Sequence, residues 1–251
     1  MAVGQMLDAG APRSFVVQGR TVTVPVVVRD AVSVTAMFVV PTVAVRRLMP
    51  HPALHIPELL PGRALCVLAA VEYLDNDLGR YNEIAVTFFA TVGGPPPTPL
   101  LGLVSAFRAH RLAGYIHRLP VTTTFSRDAG HDIWGFPKTV DEITFQDEGG
   151  QRTCTLAVDG VHVLTLTVTR GGRGRMAPMP QDALAVRDGV LWRTPSVMHG
   201  EGVGTRLGGA TLTLGRHPIA DELRSLGLPK RALLSTSMEH MRAEFEAPER
   251  L

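Results

Sequence analysis

From residue 14 onward, apolar and polar residues alternate in short runs with a period of two, the pattern of strands that bury one face. Ser14–Val17 and Thr21–Arg29 are β-branched runs parted by Gln18-Gly19-Arg20, which predicts a hairpin. Alternation continues through Val32–Val40, Ala64–Leu74, Glu83–Val92 and Ala113–Thr122. Beyond these the runs crowd together: Val140–Gln146, Thr153–Val158, Val161–Thr169, Ala183–Val186, Val190–Arg193 and Ala210–Leu214. Gly149-Gly150, Asp159-Gly160 and Asp188-Gly189 separate neighbouring runs and predict tight hairpin turns.

Helical spacing is rarer. Pro41 opens a helical stretch over Thr42–Leu48, which Pro50 and Pro52 close. Leu100–Arg108 has helical spacing. His217–Leu226 is amphipathic, with Ile219, Leu223 and Leu226 on one face and Asp221, Glu222 and Arg224 on the other. Ser126 stands where it would cap one helical turn running toward Trp134. Arg231–Phe245 fits a strand or a helix. Gly93–Pro99 holds four prolines and predicts an irregular connection, while Gly171–Pro180 reads as a loop. Ten or more short strands with three short helices predict a mainly β protein. The expected architecture is one domain over residues 1–251, an antiparallel sheet closed into a barrel or cone to hide its edges.

Composition narrows the function classes. An apolar fraction of 45% with 19% charged residues describes a globular chain with ample core. The net charge is +2 and the arginines are scattered, so no nucleic-acid partner is expected. The densest basic patch, Arg170–Arg175, is Gly-rich and reads as part of the loop between strands. Cys66 and Cys154 stand in apolar runs and predict buried thiols, not a disulfide. Met1–Asp8 lacks a basic region followed by an apolar block, so no signal peptide is expected. No window has 18 uninterrupted apolar residues, and the reading is a soluble cytoplasmic protein without a membrane partner. His51 and His55 have i,i+4 spacing, but Pro52 intervenes and no glutamate accompanies them, so no metal is expected. Gly202–Gly209 lacks the Gly-Lys-Ser/Thr ending of a phosphate loop and reads as a barrel corner or pocket rim, with Arg206 facing inward.

The candidate chemistry comes from a count. Of 25 basic side chains, all but Lys138 and Lys230 are arginine. A guanidinium stays protonated, whereas a desolvated ε-amine can lose its proton and attack a carbonyl. Lys138 closes the stretch Gly130-His131-Asp132-Ile133-Trp134-Gly135-Phe136-Pro137-Lys138, where Trp134 and Phe136 supply apolar surface and Pro137 stiffens the backbone. This predicts a Schiff-base lysine whose pKa is lowered by burial. The plainer alternative is a lysine at a strand start, its stem on Phe136 and its head in water. Lys230 is followed by Arg231 in a turn-like segment and reads as a surface cation. Glu83 shares a strand face with Ala85 and Thr87, opposite Ile84, Val86 and Phe88. It is either a carboxylate over a cavity or a solvated strand charge.

Residues 130–138, together with Gly79-Arg80-Tyr81-Asn82-Glu83, resemble the paired signature of the acetoacetate decarboxylase family. The similarity extends loosely over most of the chain, through the hairpin with Arg20, the prolines around position 50 and Gly204-Thr205-Arg206-Leu207. The resemblance implies a barrel or cone of that family's type, with Lys138 as the imine-forming amine and Glu83 as the acid facing it. It implies Arg20 as a cation near the substrate carboxylate, and Tyr81, Trp134, Phe136 and Arg206 as further substrate-binding residues. It also implies a small keto-acid substrate, no cofactor, and assembly as a homo-oligomer. The reaction implied is cofactor-independent decarboxylation of an acetoacetate-like β-keto acid.

Two departures bear on the reaction type. Thr139 stands where acetoacetate decarboxylase carries a second lysine, the neighbouring cation known to activate its nucleophile, and desolvation is left as the lever on Lys138. Leu68 stands where the decarboxylase carries a further glutamate, and Glu72 is the nearest carboxylate. These changes favour, as the alternative, an aldolase–dehydratase acting on pyruvate-like keto acids through the same imine. A barrel that only binds a small acid is the reading from outside the enzymes.

Overall fold

Most of the alternating runs form strands. The computed structural model describes residues 13–94 and 97–251; Met1–Asp8, and Pro95 and Pro96 of the proline-rich connection, lie outside the described residues. β1 (Arg13–Val17) and β2 (Arg20–Val24) make the expected hairpin. Pro25 splits the run Thr21–Arg29, because proline has no N–H to give a ladder, and the 16-residue β3 (Val26–Pro41) starts beyond it. There follow α1 (Thr42–Arg46), β4 (Leu54–His55), β5 (Arg63–Asn76), β6 (Tyr81–Val92), α2 (Leu101–Arg108) and β7 (Ala113–Val121). Next, α3 (Thr124–Ala129) runs into a π-helical turn, Gly130–Trp134. After it come β8 (Lys138–Val140), β9 (Glu142–Glu148), β10 (Gln151–Val158) and β11 (Val161–Thr169). The remainder is β12 (Gly174–Pro180), β13 (Ala183–Arg187), β14 (Val190–Thr194), β15 (Ser196–Leu207), β16 (Ala210–Leu214), α4 (Pro218–Ser225), β17 (Leu234–Phe245) and β18 (Glu249–Arg250).

A 12-stranded sheet dominates, in the order β12-β15-β17-β3-β5-β6-β7-β13-β14-β18, with β4 added on β6 and β8 on β7. Its two faces carry two separate cores. One is covered by the four-stranded sheet β16-β11-β10-β9 and by α4, so that Phe38, Leu68, Ile84 and Phe88 meet Leu156, Leu166 and Leu223. The other is covered by the β1–β2 hairpin, α3 and the π turn, which bring Val17, Val22, Ile133, Trp134 and Phe136 onto Val71, Tyr73, Tyr81 and Val121. Arg152 on β10, only 2% exposed, reaches Glu72 on β5 and Asp147 on β9 and ties the small sheet to the large one.

Several expectations are corrected. The sheet curls into an open half-barrel and does not close, since its end strands β12 and β18 do not pair with each other. Both ends are poor partners: β12 contains Pro178 and Pro180, residues suited to an edge, and β18 has two residues. The Gly171–Pro180 loop is in part strand β12. Gly202–Leu207 is the end of β15, not a corner. Its sequence hides the strand because glycine is needed there: a Cβ on Gly204 would stand 2.0 Å from the Gly171 carbonyl oxygen. Arg231–Phe245 resolves as strand β17, paired on both sides with β15 and β3. Cys66 and Cys154 are free and buried, and burial pushes both thiols up to about 12. No helix among the described residues is long and apolar enough to cross a membrane.

Phe88 is fully buried on β6, five residues beyond Glu83. Phe88→Ala is expected to cost about 3–5 kcal/mol in urea unfolding. Val16→Ala, at a position 74% exposed, is expected to stay within about 0.5 kcal/mol. Equal effects of the two would contradict this assignment of the core.

Candidate active site

β7 is the axis of the site. Glu83 on β6 pairs with Val121 of β7, and Lys138 on β8 pairs in parallel with Leu119 on the other side of the same strand. Neighbouring strands lie ~4.8 Å apart, so the two backbones are separated by roughly 10 Å. The lysine stem crosses β7 to close that gap and brings Nζ to 3.0 Å from Glu83 Oε2. The side chains are 4% and 10% exposed, so the pair is dry.

Local sequence explains why the stem lies there. Thr123, not Ser126, caps α3: its hydroxyl accepts from the Ser126 N–H at 3.3 Å. Ser126 thus falls inside the helix, fully buried, and its Oγ accepts a hydrogen bond from Lys138 Nζ at 3.0 Å. One turn later stands Gly130. A Cβ there would come within 2.5 Å of Lys138 Cδ and 2.7 Å of Cε, so the lysine occupies the space a side chain would fill. The Phe136 amide closes back on the Gly130 carbonyl at 3.0 Å and turns the chain into β8. Single π turns of this kind recur at functional sites.

The pair has further polar company. Tyr73 on β5 donates its hydroxyl to Glu83 Oε1 at 3.1 Å, leaving Oε2 to the amine. The rings of Tyr73 and Tyr81 stack with centroids 4.4 Å apart, and Nζ lies 5.0 Å from the Tyr81 ring centroid. Desolvation pulls the Lys138 amine down, but the charge of Glu83, reinforced by Tyr81, more than offsets it, and the amine stands above the ordinary lysine value. This corrects the expectation of an amine brought toward neutrality by burial alone. Burial, and then the Glu83 charge, pushes the Tyr73 phenol well above its usual range, so it remains a donor. Because the folded lysine value is raised, the amine's contribution to stability is present below the ordinary lysine value and is lost only as pH climbs through the raised one.

The other candidates fall in different places. Tyr81 flanks the amine. Trp134 and Phe136 are buried and stacked on each other at 5.7 Å, with the indole N–H donating to the Glu246 carbonyl at 2.8 Å. They belong to the core around the site. Arg20 is exposed at the start of β2 and lies over the Phe125 ring at 4.0 Å, one residue before Ser126. Arg206 is elsewhere: its guanidinium donates to the carbonyls of Thr169, Arg170 and Gly171, a structural strap and not an inward-facing cation. Leu68 is fully buried in the opposite core, and Glu72 is bound to Arg152 on that same side. Across from Glu83 stands Val71, flanked on its face by Ala69 and Tyr73. Thr139 is exposed and donates to Asp141. Lys230 is bound to the Val39 carbonyl at 2.7 Å.

Sequence reading missed Tyr73 and Ser126. Tyr73 pairs directly with Tyr81 across the β5–β6 hairpin, so counting register from the turn places it on the Glu83 face. Ser126 carries no such signal. A cavity of about 380 Å³ also touches Lys138, but its lining includes Ile84, Val86, Leu156 and Ile219, from the side of the sheet opposite Glu83. Among the described residues, no group of three His, Cys, Asp or Glu side chains comes together as a metal site.

The family model described as acetoacetate decarboxylase (ADC) matches residues 16–246. The chain is similar in fold to several solved structures. A structure of acetoacetate decarboxylase shares 16% identity at a TM-score of 0.63, covering 90% of this chain and 89% of that one. The acetoacetate decarboxylase of Legionella pneumophila subsp. pneumophila str. Philadelphia 1 shares 15% identity at a TM-score of 0.59, covering 100% and 92%. The enduracididine biosynthesis enzyme MppR, complexed with the condensation product of pyruvate and imidazole 4-carboxaldehyde, shares 15% identity at a TM-score of 0.59, covering 97% and 98%. No curated protein sequence matches the chain.

Gly130→Ala puts a methyl group where the lysine stem lies. It is expected to leave the protein folded but to push Nζ away from Glu83, so that acetylation of Lys138 by trace acetic anhydride changes relative to that of Lys230. An unchanged labelling ratio would show that the stem does not need this space.

Proposed function

The chain belongs to the acetoacetate decarboxylase family, and from that premise we propose that it is a keto-acid enzyme working through an imine on Lys138. The observation that carries this reading is a lysine Nζ with a 4% exposed side chain, 3.0 Å from a buried carboxylate. The same contact supplies the first step. Lys138 passes a proton to Glu83 Oε2, and the neutral amine attacks the ketone carbon to form a carbinolamine. Its hydroxyl then leaves as water, taking up the proton held by Glu83, and a protonated imine remains. Proton transfer by a positioned group typically contributes ~10²–10⁴ in rate.

The protonated imine is an electron sink. With a β-keto acid, the bond to the carboxylate breaks, CO₂ departs, and the bonding pair moves into an enamine. Protonation at carbon and addition of water then return the ketone and free lysine. Decarboxylation is the default reading.

The second reading, aldol condensation and dehydration, is favoured by two positions. Thr139 puts no cation beside the amine, and Val71 and Ala69 put no second carboxylate on the face of Glu83. Here a proton leaves the α-carbon of a pyruvate-like imine, and the resulting enamine attacks an aldehyde. Water is then lost from the adduct. That the similar MppR structure holds a condensation product of pyruvate and an aldehyde supports this route.

Incubation with acetoacetate or pyruvate, borohydride reduction and peptide mapping tests the reading. An adduct on Lys138 is expected, and CO₂ release against an elongated product divides the two reactions. Both keto acids bound intact with no adduct would leave a half-barrel that merely binds small acids. Lys138→Arg should be folded and inactive, and retained turnover would sink the lysine assignment. Glu83→Gln should slow turnover by ~10²-fold or more while leaving an adduct detectable. Since the resting amine is charged and hands its proton to Glu83 within the pair, adduct formation should vary little with pH below the amine's raised value, whereas in Glu83→Gln, which lacks that acceptor, it should accelerate as pH rises. A Glu83→Gln profile as flat as the parent's would contradict the internal transfer.

A further inference from the structure

Ser126 sits in the interior of α3 with a hydroxyl that the helix does not need. Thr123 already caps the helix. Serine is a poorer helix former than alanine, and a fully buried hydroxyl is costly without a partner. Its partner is Lys138 Nζ at 3.0 Å. An ammonium has three N–H donors and no acceptor. In this dry site one is taken by Glu83 Oε2 and one by Ser126 Oγ, while the Tyr81 ring lies 5.0 Å away. Glu83 comes from β6 and Ser126 from α3, on separate elements, so together they hold Nζ from two sides and restrict the stem torsions that would carry it off the carboxylate.

We propose that Ser126 is a positioning residue whose hydroxyl holds the Lys138 amine against Glu83 and favours its charged resting form. Its catalytic consequence rests on the imine reading; the anchoring itself does not. The groups that share this control are few. Glu83 and Tyr81 face the amine from β6, and Tyr73 reaches it through Glu83 from β5. β7 contributes Leu119 and Val121 at the paired positions, and its His117 and Arg118, which line the cavity that touches Lys138, are both bound to Glu222. Arg127 and Asp128 of α3 pair with each other at 2.6 Å, and Arg20 lies over Phe125. Losing the hydroxyl has two opposite effects. The ammonium loses a partner and gives up its proton more readily, yet the freed amine is less well placed for reaction.

The two-lysine composition makes the test clean. Competitive acetylation with trace acetic anhydride across pH, read by mass spectrometry of the two lysine peptides, reports Lys138 with Lys230 as internal reference. In Ser126→Ala the Lys138 labelling curve should move to lower pH by about one unit, the size of a hydrogen bond to a charged group, with Lys230 unmoved. Turnover of the trapped keto acid should fall in kcat with KM little changed. Ser126→Cys, similar in volume but a weak acceptor, should fall between the two proteins. A folded Ser126→Ala whose Lys138 curve coincides with the parent's overturns the proposal. If the curve shifts but no keto acid labels the parent protein, the imine reading fails and the anchor stands.

Discussion

An ammonium and a carboxylate in hydrogen-bonding contact, shut away from water, constrain everything around them. Removing such ions from solvent costs several kcal/mol each even after relaxation, and their attraction repays this only when the remaining donors and acceptors are met. Here the compensation is drawn from three sides: a phenol on β5, a hydroxyl on α3 and an aromatic face on β6. None of these groups adjoins Lys138 in sequence, so the pair is complete only when the sheet, α3 and the π turn are all in place. Half-formed, the site would hold an uncompensated charge, which favours an all-or-none assembly of that face.

The sheet keeps this polar centre separate from its larger core by alternation. On β6, Glu83 and Ala85 look one way while Ile84, Val86 and Phe88 look the other. A slip of one residue would bury the carboxylate among Leu156 and Leu164 and expose the aliphatic face to the amine. The long register of β3 with β5 and of β5 with β6 holds against that slip. Gly130 keeps the lysine side slim, which leaves room for the stem. Register here is thus a chemical requirement as well as a packing one.

Much of this was legible in the chain. The Gly149-Gly150, Asp159-Gly160 and Asp188-Gly189 turns, the alternating runs and the amine behind Trp134 and Phe136 are all local patterns, and they stand where the sequence places them. What was hidden depends on contacts distant in sequence. Closure could not be read because it depends on whether the end strands meet, and prolines in β12 with a two-residue β18 leave the sheet open. β15 was hidden because Gly200 and Gly204 serve close packing and break the alternation that marks a strand. Arg206 looked like a cation for a pocket because sequence shows its charge and not the three carbonyls that absorb it. Position 68 was misplaced for a simpler reason: the face that opposes Glu83 carries the odd-numbered residues of β5, so Leu68 belongs to the other core.

In the proposed imine chemistry, the charge balance at the amine also bears on which reaction is run. A keto acid brings a carboxylate, and any anion set beside the lysine strengthens its hold on the proton it must lose. Thr139 offers no cation to hold that carboxylate apart, and Arg206 is committed elsewhere. Arg20 remains, exposed on the hairpin and stacked over Phe125 beside Ser126. In decarboxylation the charge leaves with CO₂, so a cation matters on entry and matters less afterwards. In condensation and dehydration the carboxylate stays through every step, and a cation must hold it throughout. The distance Arg20 keeps from a bound keto acid during turnover therefore separates the two chemistries on electrostatic grounds, independently of which product is seen first.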